Sequence, residues 1–207
     1  MLLGVDFDNT IVCYDQLFYR VAVEKGLIPS EVPASKGKVR DHLRQCGQED
    51  VWTALQGYVY GARMHDAHPF PGVLEFFTRC KEHGLTVCII SHKTRVPFQG
   101  PVYDLRQAAH EWLQSQGFYD PFKIGLSPQQ VYFELTKQQK LERIAKVGCS
   151  HFIDDLPEFL SESGFPVDVE RILFDPNDDH AAANHGYRTC SWADITGSLI
   201  AGRSTLP

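Results

Sequence analysis

The tightest grouping of reactive side chains falls within the first ten residues, in the run Asp6-Phe7-Asp8-Asn9-Thr10. Side chains alternate along an extended chain, so Asp6 and Asp8 point the same way while Phe7 turns to the opposite side. Two carboxylates side by side repel each other, and a divalent cation or a shared proton is the usual means of holding them together. In such a pair one carboxylate can attack phosphorus. The other, kept protonated, can donate to the leaving oxygen and later take a proton from water. A solvated strand-end pair or a helix cap would read the same way in isolation.

Three weaker signals follow in the chain. Ser91 ends the apolar run Val87-Cys88-Ile89-Ile90, where a hydroxyl can donate to a phosphate oxygen or simply cap a strand. A lysine opens the segment before His151-Phe152-Ile153; Lys140 is the better candidate and Lys137, one turn earlier, the alternative. An ammonium on a flexible stem suits an anionic oxygen and would offset repulsion between a carboxylate nucleophile and incoming phosphate. Asp154-Asp155 closes that strand. Adjacent carboxylates face opposite ways, so one would ligate a metal while the other supports it or holds the lysine. With no His or Cys cluster nearby, an all-oxygen set of this kind suits Mg2+ far better than zinc.

The elements that must position these groups are legible as alternating patterns. Leu2 to Phe7, Thr86 to Ile90, His151 to Ile153 and Arg171 to Phe174 are short apolar runs ending in polar residues, as buried parallel strands do, and Val131 to Leu135 adds an edge strand. Val73 to His83, Asp104 to Gln116 and Lys137 to Val147 have helical spacing, and each is closed by a glycine. This alternation predicts an α/β fold, a doubly wound, Rossmann-like and mostly parallel sheet, with ligands beyond the carboxyl ends of its strands. All the polar residues named above arrive at that edge.

Residues 14–68 break the alternation, reading as helices at Gln16 to Lys25, Lys38 to Cys46 and Val51 to Met64 with no strand between them. The expected organisation is therefore a core of residues 1–13 and 69–207 with a small helical cap, residues 14–68, hanging over the active edge. Lys36, Lys38, Arg40, Arg44 and Arg63 could read a leaving group or form a solvated basic face. Trp52, Tyr58 and Tyr60 could stack on a ligand or form the insertion's own core, and Asp175 to His180 with His185 could be a metal cluster or a polar loop.

Composition narrows the class further. The 207 residues carry a net charge of -6 without blocks of like charge, which points away from nucleic acid and membrane surfaces as partners. Six cysteines show no paired spacing, so reduced thiols are expected, and two carboxylates within the first eight residues do not fit a secretory signal. The expectation is a cytoplasmic protein.

With its four signals in this order, the sequence resembles the haloacid dehalogenase superfamily of hydrolases, whose motifs are D-x-D-x-T, a strand-end Ser or Thr, a Lys and an acidic pair. The resemblance covers residues 1 to about 160. It implies that Asp6 is a nucleophile forming an aspartyl-phosphate and that Asp8 is the general acid and base. It implies Mg2+ held by the Asp6 carboxylate, the Asp8 carbonyl and the pair Asp154 and Asp155, with Asp155 the direct ligand. Ser91 and Lys140 would hold the phosphate, with Asn9 and His92 beside it; Lys93 shares that neighbourhood. Dehalogenases of the superfamily lack an acid at the second position and ion pumps carry Thr there, so Asp8 favours hydrolysis of a small phosphomonoester. A phosphomutase or phosphotransferase, or a non-catalytic binding protein, is the alternative.

Overall fold

The computed structural model describes residues 1–181 and 186–200. The chain begins with β1 (Leu2–Val5) and β2 (Val12–Cys13), then runs through α1 (Asp15–Glu24), α2 (Lys36–Gln45) and α3 (Glu49–Tyr60) before β3 (His68–Pro69). From there α4 (Val73–Glu82), β4 (Thr86–His92), α5 (Leu105–Ser115), β5 (Val131–Glu134), α6 (Lys137–Val147) and β6 (His151–Asp154) alternate. The last elements are α7 (Pro157–Leu160), β7 (Glu170–Phe174), β8 (Tyr187–Thr189) and α8 (Trp192–Ile200).

Six strands form one sheet in the order β5-β4-β1-β6-β7-β8, and every neighbouring pair is parallel. The chain winds outward from β1 to one side, returns, and winds outward to the other, so the order reverses beside β1. That is the expected doubly wound topology, and the reversal opens a crevice at the carboxyl end of β1. The sequence reading placed β5 at an edge but gave no counterpart to β8, α8 or the ribbon in which β2 and β3 pair antiparallel. Val12 opposes Pro69 and Cys13 opposes His68 there, at the point where the helical insertion leaves and rejoins the sheet. Helix α3 ends at Tyr60 rather than Met64, breaking at Gly61, where the Tyr103 ring crowds the backbone. No helix among the described residues is long and apolar enough to cross a membrane.

Strand alternation divides the core into two clusters. Val87 and Ile89 of β4 join Leu3, Val5 and Phe7 on one side; Cys88 and Ile90 join Phe152, Leu141 and Leu173 on the other. The insertion buries Phe18, Val21, Val39, Leu43, Trp52 and Leu55 in the first cluster, so its helices pack as a continuation of the core.

Gly4 sits where β1 meets the second cluster. A Cβ there would lie 2.5 Å from the Phe152 ring and 2.8 Å from Cys149 Sγ. Overpacking of this kind costs about 1–3 kcal/mol. Gly4→Ala is expected to lower the denaturant midpoint accordingly, and chemical unfolding of the two proteins measures it.

Candidate active site

Asp6 extends the β1 to β6 pairing by one residue, its amide donating to Ile153 O at 2.9 Å. The chain then turns sharply, with the amides of Ile11 and Val12 both donating to Phe7 O. Asn9 takes a left-handed conformation at φ 62°, which asparagine tolerates better than most residues. The Thr10 carbonyl accepts from Trp192 Nε1 of α8 at 3.1 Å. The turn is thus fixed from below by the sheet and from behind by the last described helix.

Lys140 of α6 is 3% exposed and its ammonium lies 2.6 Å from both Asp6 Oδ1 and Asp154 Oδ2. Lys137 is exposed at the first position of the same helix, so of the two candidates it is Lys140 that reaches the strand ends. Asp154 is further tied by the Leu156 amide, while Asp155 receives, among the described residues, the Thr10 hydroxyl at 3.3 Å. Oxygen atoms of Asp6, Asp154 and Asp155 all lie within 4.8 Å of one another.

Asp8 stands apart from this trio. Its carboxylate accepts from Lys93 Nζ at 2.8 and 2.9 Å and from the Tyr14 hydroxyl at 2.6 Å. Burial alone would raise its pKa, but Lys93, Tyr14 and, at longer range, Lys36 hold it below the usual carboxylate range. The expected protonated Asp8 is therefore not the resting form; the partners that ionise it lay outside the motif that named it.

Ser91 is buried near the end of β4. His92 is not beside it. The residue is exposed on the other side of the strand, with Nε2 2.9 Å from Leu135 O, and partial desolvation there, with the charges of Lys140 and Lys137, lowers its pKa. β4 continues to His92 and the Lys93 amide pairs on to Glu134 O, so alternation puts Ser91 and Lys93, not His92, on one side. That period of two is the signal by which sequence reasoning could have placed Lys93 above His92. Asn9 Oδ1 accepts from Lys36 Nζ at 3.0 Å.

Of the insertion's other cations, Arg40 pairs with Asp41, Arg44 with Glu49, and Arg63 with Glu24 and Asp66. Trp52 is core, packed on Phe18 at 5.0 Å. Asp175 accepts from the Asp179 and His180 amides and from Arg188, which makes that segment a closed polar loop; His185 lies outside the described residues. A cavity of about 690 Å³ lies at this edge, between the insertion and the core, with Asn9, Tyr14, Lys36, Phe70, Asp155 and Phe174 in its wall.

The electrostatics of the trio are unbalanced. Burial, helped by Asp154 and Asp8, pushes Asp6 up to about 7 despite Lys140, and burial with Asp154 and Asp6 pushes Asp155 well above its ordinary value. Buried carboxylate oxygens short of positive charge, with no nitrogen or sulfur among them, fit a hard divalent cation such as Mg2+.

No family model matches the chain, and neither does any curated protein sequence. Solved structures do. A HAD family hydrolase from Deinococcus radiodurans with bound phosphate and sodium superposes at TM-score 0.61 and 17% identity, over 96% of this chain and 94% of that one. A HAD hydrolase from Bacillus subtilis bound to magnesium gives 0.58 at 13%, over 96% and 98%. A protein from Haemophilus somnus described as a predicted phosphoglycolate phosphatase gives 0.54 at 15%, over 94% and 95%. At such identities the likeness is one of fold: this chain has the α/β fold of the haloacid dehalogenase-type hydrolases.

The raised Asp6 has a stability consequence. Its folded pKa of about 7 lies above the ordinary 3.8, so the folded state holds the proton more tightly, and the stability this confers is lost as pH rises across that window. Asp155 acts in the same direction, whereas the depressed Asp8 acts only at pH below its ordinary value. A divalent cation held by Asp6, Asp154 and Asp155 would take the place of the missing proton. Thermal unfolding should show Mg2+ raising the midpoint strongly at about pH 7.5 and little at about pH 5, the gain in unfolding free energy at the higher pH being about 2.7 kcal/mol when Mg2+ is a hundredfold above its Kd.

Proposed function

We propose that the chain is a Mg2+-dependent phosphatase of the haloacid dehalogenase superfamily, hydrolysing a small phosphomonoester through an aspartyl-phosphate on Asp6. The observation that carries this reading is the division of labour among the aspartates. Asp6 shares Lys140 with Asp154 inside an all-oxygen trio, while Asp8, two residues on, has separate partners in Lys93 and Tyr14. The phosphate and the magnesium named for two proteins of this fold support the same chemistry.

In this scheme Asp6, Asp154 and Asp155 hold Mg2+, with the Asp8 carbonyl as a further ligand. The ion supplies charge neutralisation for the phosphoryl oxygens. A carboxylate oxygen of Asp6 attacks phosphorus, the bond to the leaving oxygen breaks, and that oxygen takes a proton from Asp8. Water then attacks the phosphorus of the acyl phosphate, gives its proton to Asp8, and releases inorganic phosphate and free Asp6. Asp8 is ionised at rest and thus already suited to the second step. Its proton for the first step arrives with substrate, as the phosphoryl group competes for Lys93. Ser91 and Lys140 orient the phosphoryl oxygens. Residues 14–68 act as the cap, and the cavity beside Asn9 and Asp155 takes the organic part of the substrate. The six unpaired cysteines agree with a reducing, cytoplasmic setting.

Phosphate release from a panel of sugar phosphates, nucleotides and an aryl phosphate, with Mg2+ and with chelator, tests the reading. Asp6→Asn is expected to cut turnover on the order of 10⁴-fold, as loss of a nucleophile does. Wild-type protein quenched in acid during turnover should carry hydroxylamine-sensitive phosphate. Turnover that survives chelation or Asp6→Asn would refute the scheme.

A further inference from the structure

Three lysines surround the aspartates, and they are not equivalent. Lys140 is in direct ion pairs with Asp6 and Asp154, and Lys93 is in one with Asp8. Lys36 makes no carboxylate contact within ion-pair distance among the described residues. Its ammonium meets Asn9 Oδ1 at 3.0 Å and the Tyr60 hydroxyl, both neutral, and stands 5.5 to 5.9 Å from the ring centres of Tyr60, Phe18 and Tyr14. Burial works against its charge, yet Tyr60, Asp155 and Asp8 together keep it protonated more firmly than usual. Lys36 is half-buried in the cavity wall, where its charge has aromatic faces but no bonded carboxylate around it among the described residues. The position is nonetheless built. The Lys36 amide is fixed by Asp15 Oδ1 at 2.8 Å, which ties the start of α2 to α1.

We infer that Lys36 is a substrate-contacting residue brought by the insertion: its ammonium donates a hydrogen bond to the phosphoryl group between Asp8 and Asp155, without transferring a proton. This deepens the phosphatase reading and rests on it for the identity of the anion. It also gives the insertion a chemical task, because a substrate phosphate then bonds to both halves of the molecule at once.

The test compares wild type, Lys36→Met, Lys36→Arg and, as a control for lost surface charge, Lys146→Met. The readouts are binding of inorganic phosphate in Mg2+ by calorimetry, turnover of 4-nitrophenyl phosphate, and thermal unfolding. Lys36→Met is expected to weaken phosphate binding about tenfold or more and to lower kcat/KM about 100-fold, while the protein still unfolds in one cooperative transition. Lys36→Arg should recover part of both, and Lys146→Met should match wild type. Phosphate affinity in Lys36→Met within twofold of wild type overturns the inference. If wild type binds phosphate but hydrolyses nothing, the phosphatase reading fails while the comparison of affinities still decides Lys36. A wild type that does not bind phosphate even at millimolar concentration overturns both.

Discussion

Mutual repulsion among four aspartates at one edge of the sheet is the constraint around which the site is arranged. Asp6, Asp8, Asp154 and Asp155 sit on or just past two neighbouring strands, too close for all to ionise without compensation. Lys140 of α6 and Lys93 past the end of β4 compensate by direct ion pairs and Lys36 of the insertion acts at longer range, so the repulsion is eased only when those elements are docked together. Four carboxylates against three ammoniums leave the edge slightly negative. A bound divalent cation would reverse that sign.

The same two-residue period governs the core and the chemistry. On β4 it sends Val87 and Ile89 into one cluster and Cys88 and Ile90 into the other; two residues further on it separates Ser91 and Lys93 from His92. On β1 it leaves Gly4 opposite the Phe152 ring while Leu3 and Val5 anchor the face on which the insertion packs. The crevice is therefore not a separate feature laid over the fold. It is the continuation of the strand pattern past the point where apolar residues give way to polar ones.

What the sequence revealed follows from how each feature is encoded. Central strands are continuous apolar runs, and Asp6, Asp8 and Lys140 stand out as candidates at one edge because strand ends and the following helix have recognisable signatures. β8, Tyr187–Thr189, is short and polar in part, and the β2–β3 ribbon has two residues per strand, so neither carries a readable period. Tyr14 bonds Asp8 and Lys36 bonds Asn9 only because α1 and α2 fold back over the first strand, a tertiary fact with no local mark. His92 was favoured for standing next to Ser91 in sequence, whereas geometry groups residues two apart.

The bond from Trp192 Nε1 to the Thr10 carbonyl joins residues 182 positions apart, and so bears on the order in which the molecule assembles. The loop of Asp6 to Thr10 is synthesised well before the helix that braces it. Long-range closure of this kind comes late in folding, after the entropy of the intervening chain has been overcome. A growing chain thus carries Asp6 and Asp8 well before Trp192 is there to brace the turn between them and the insertion.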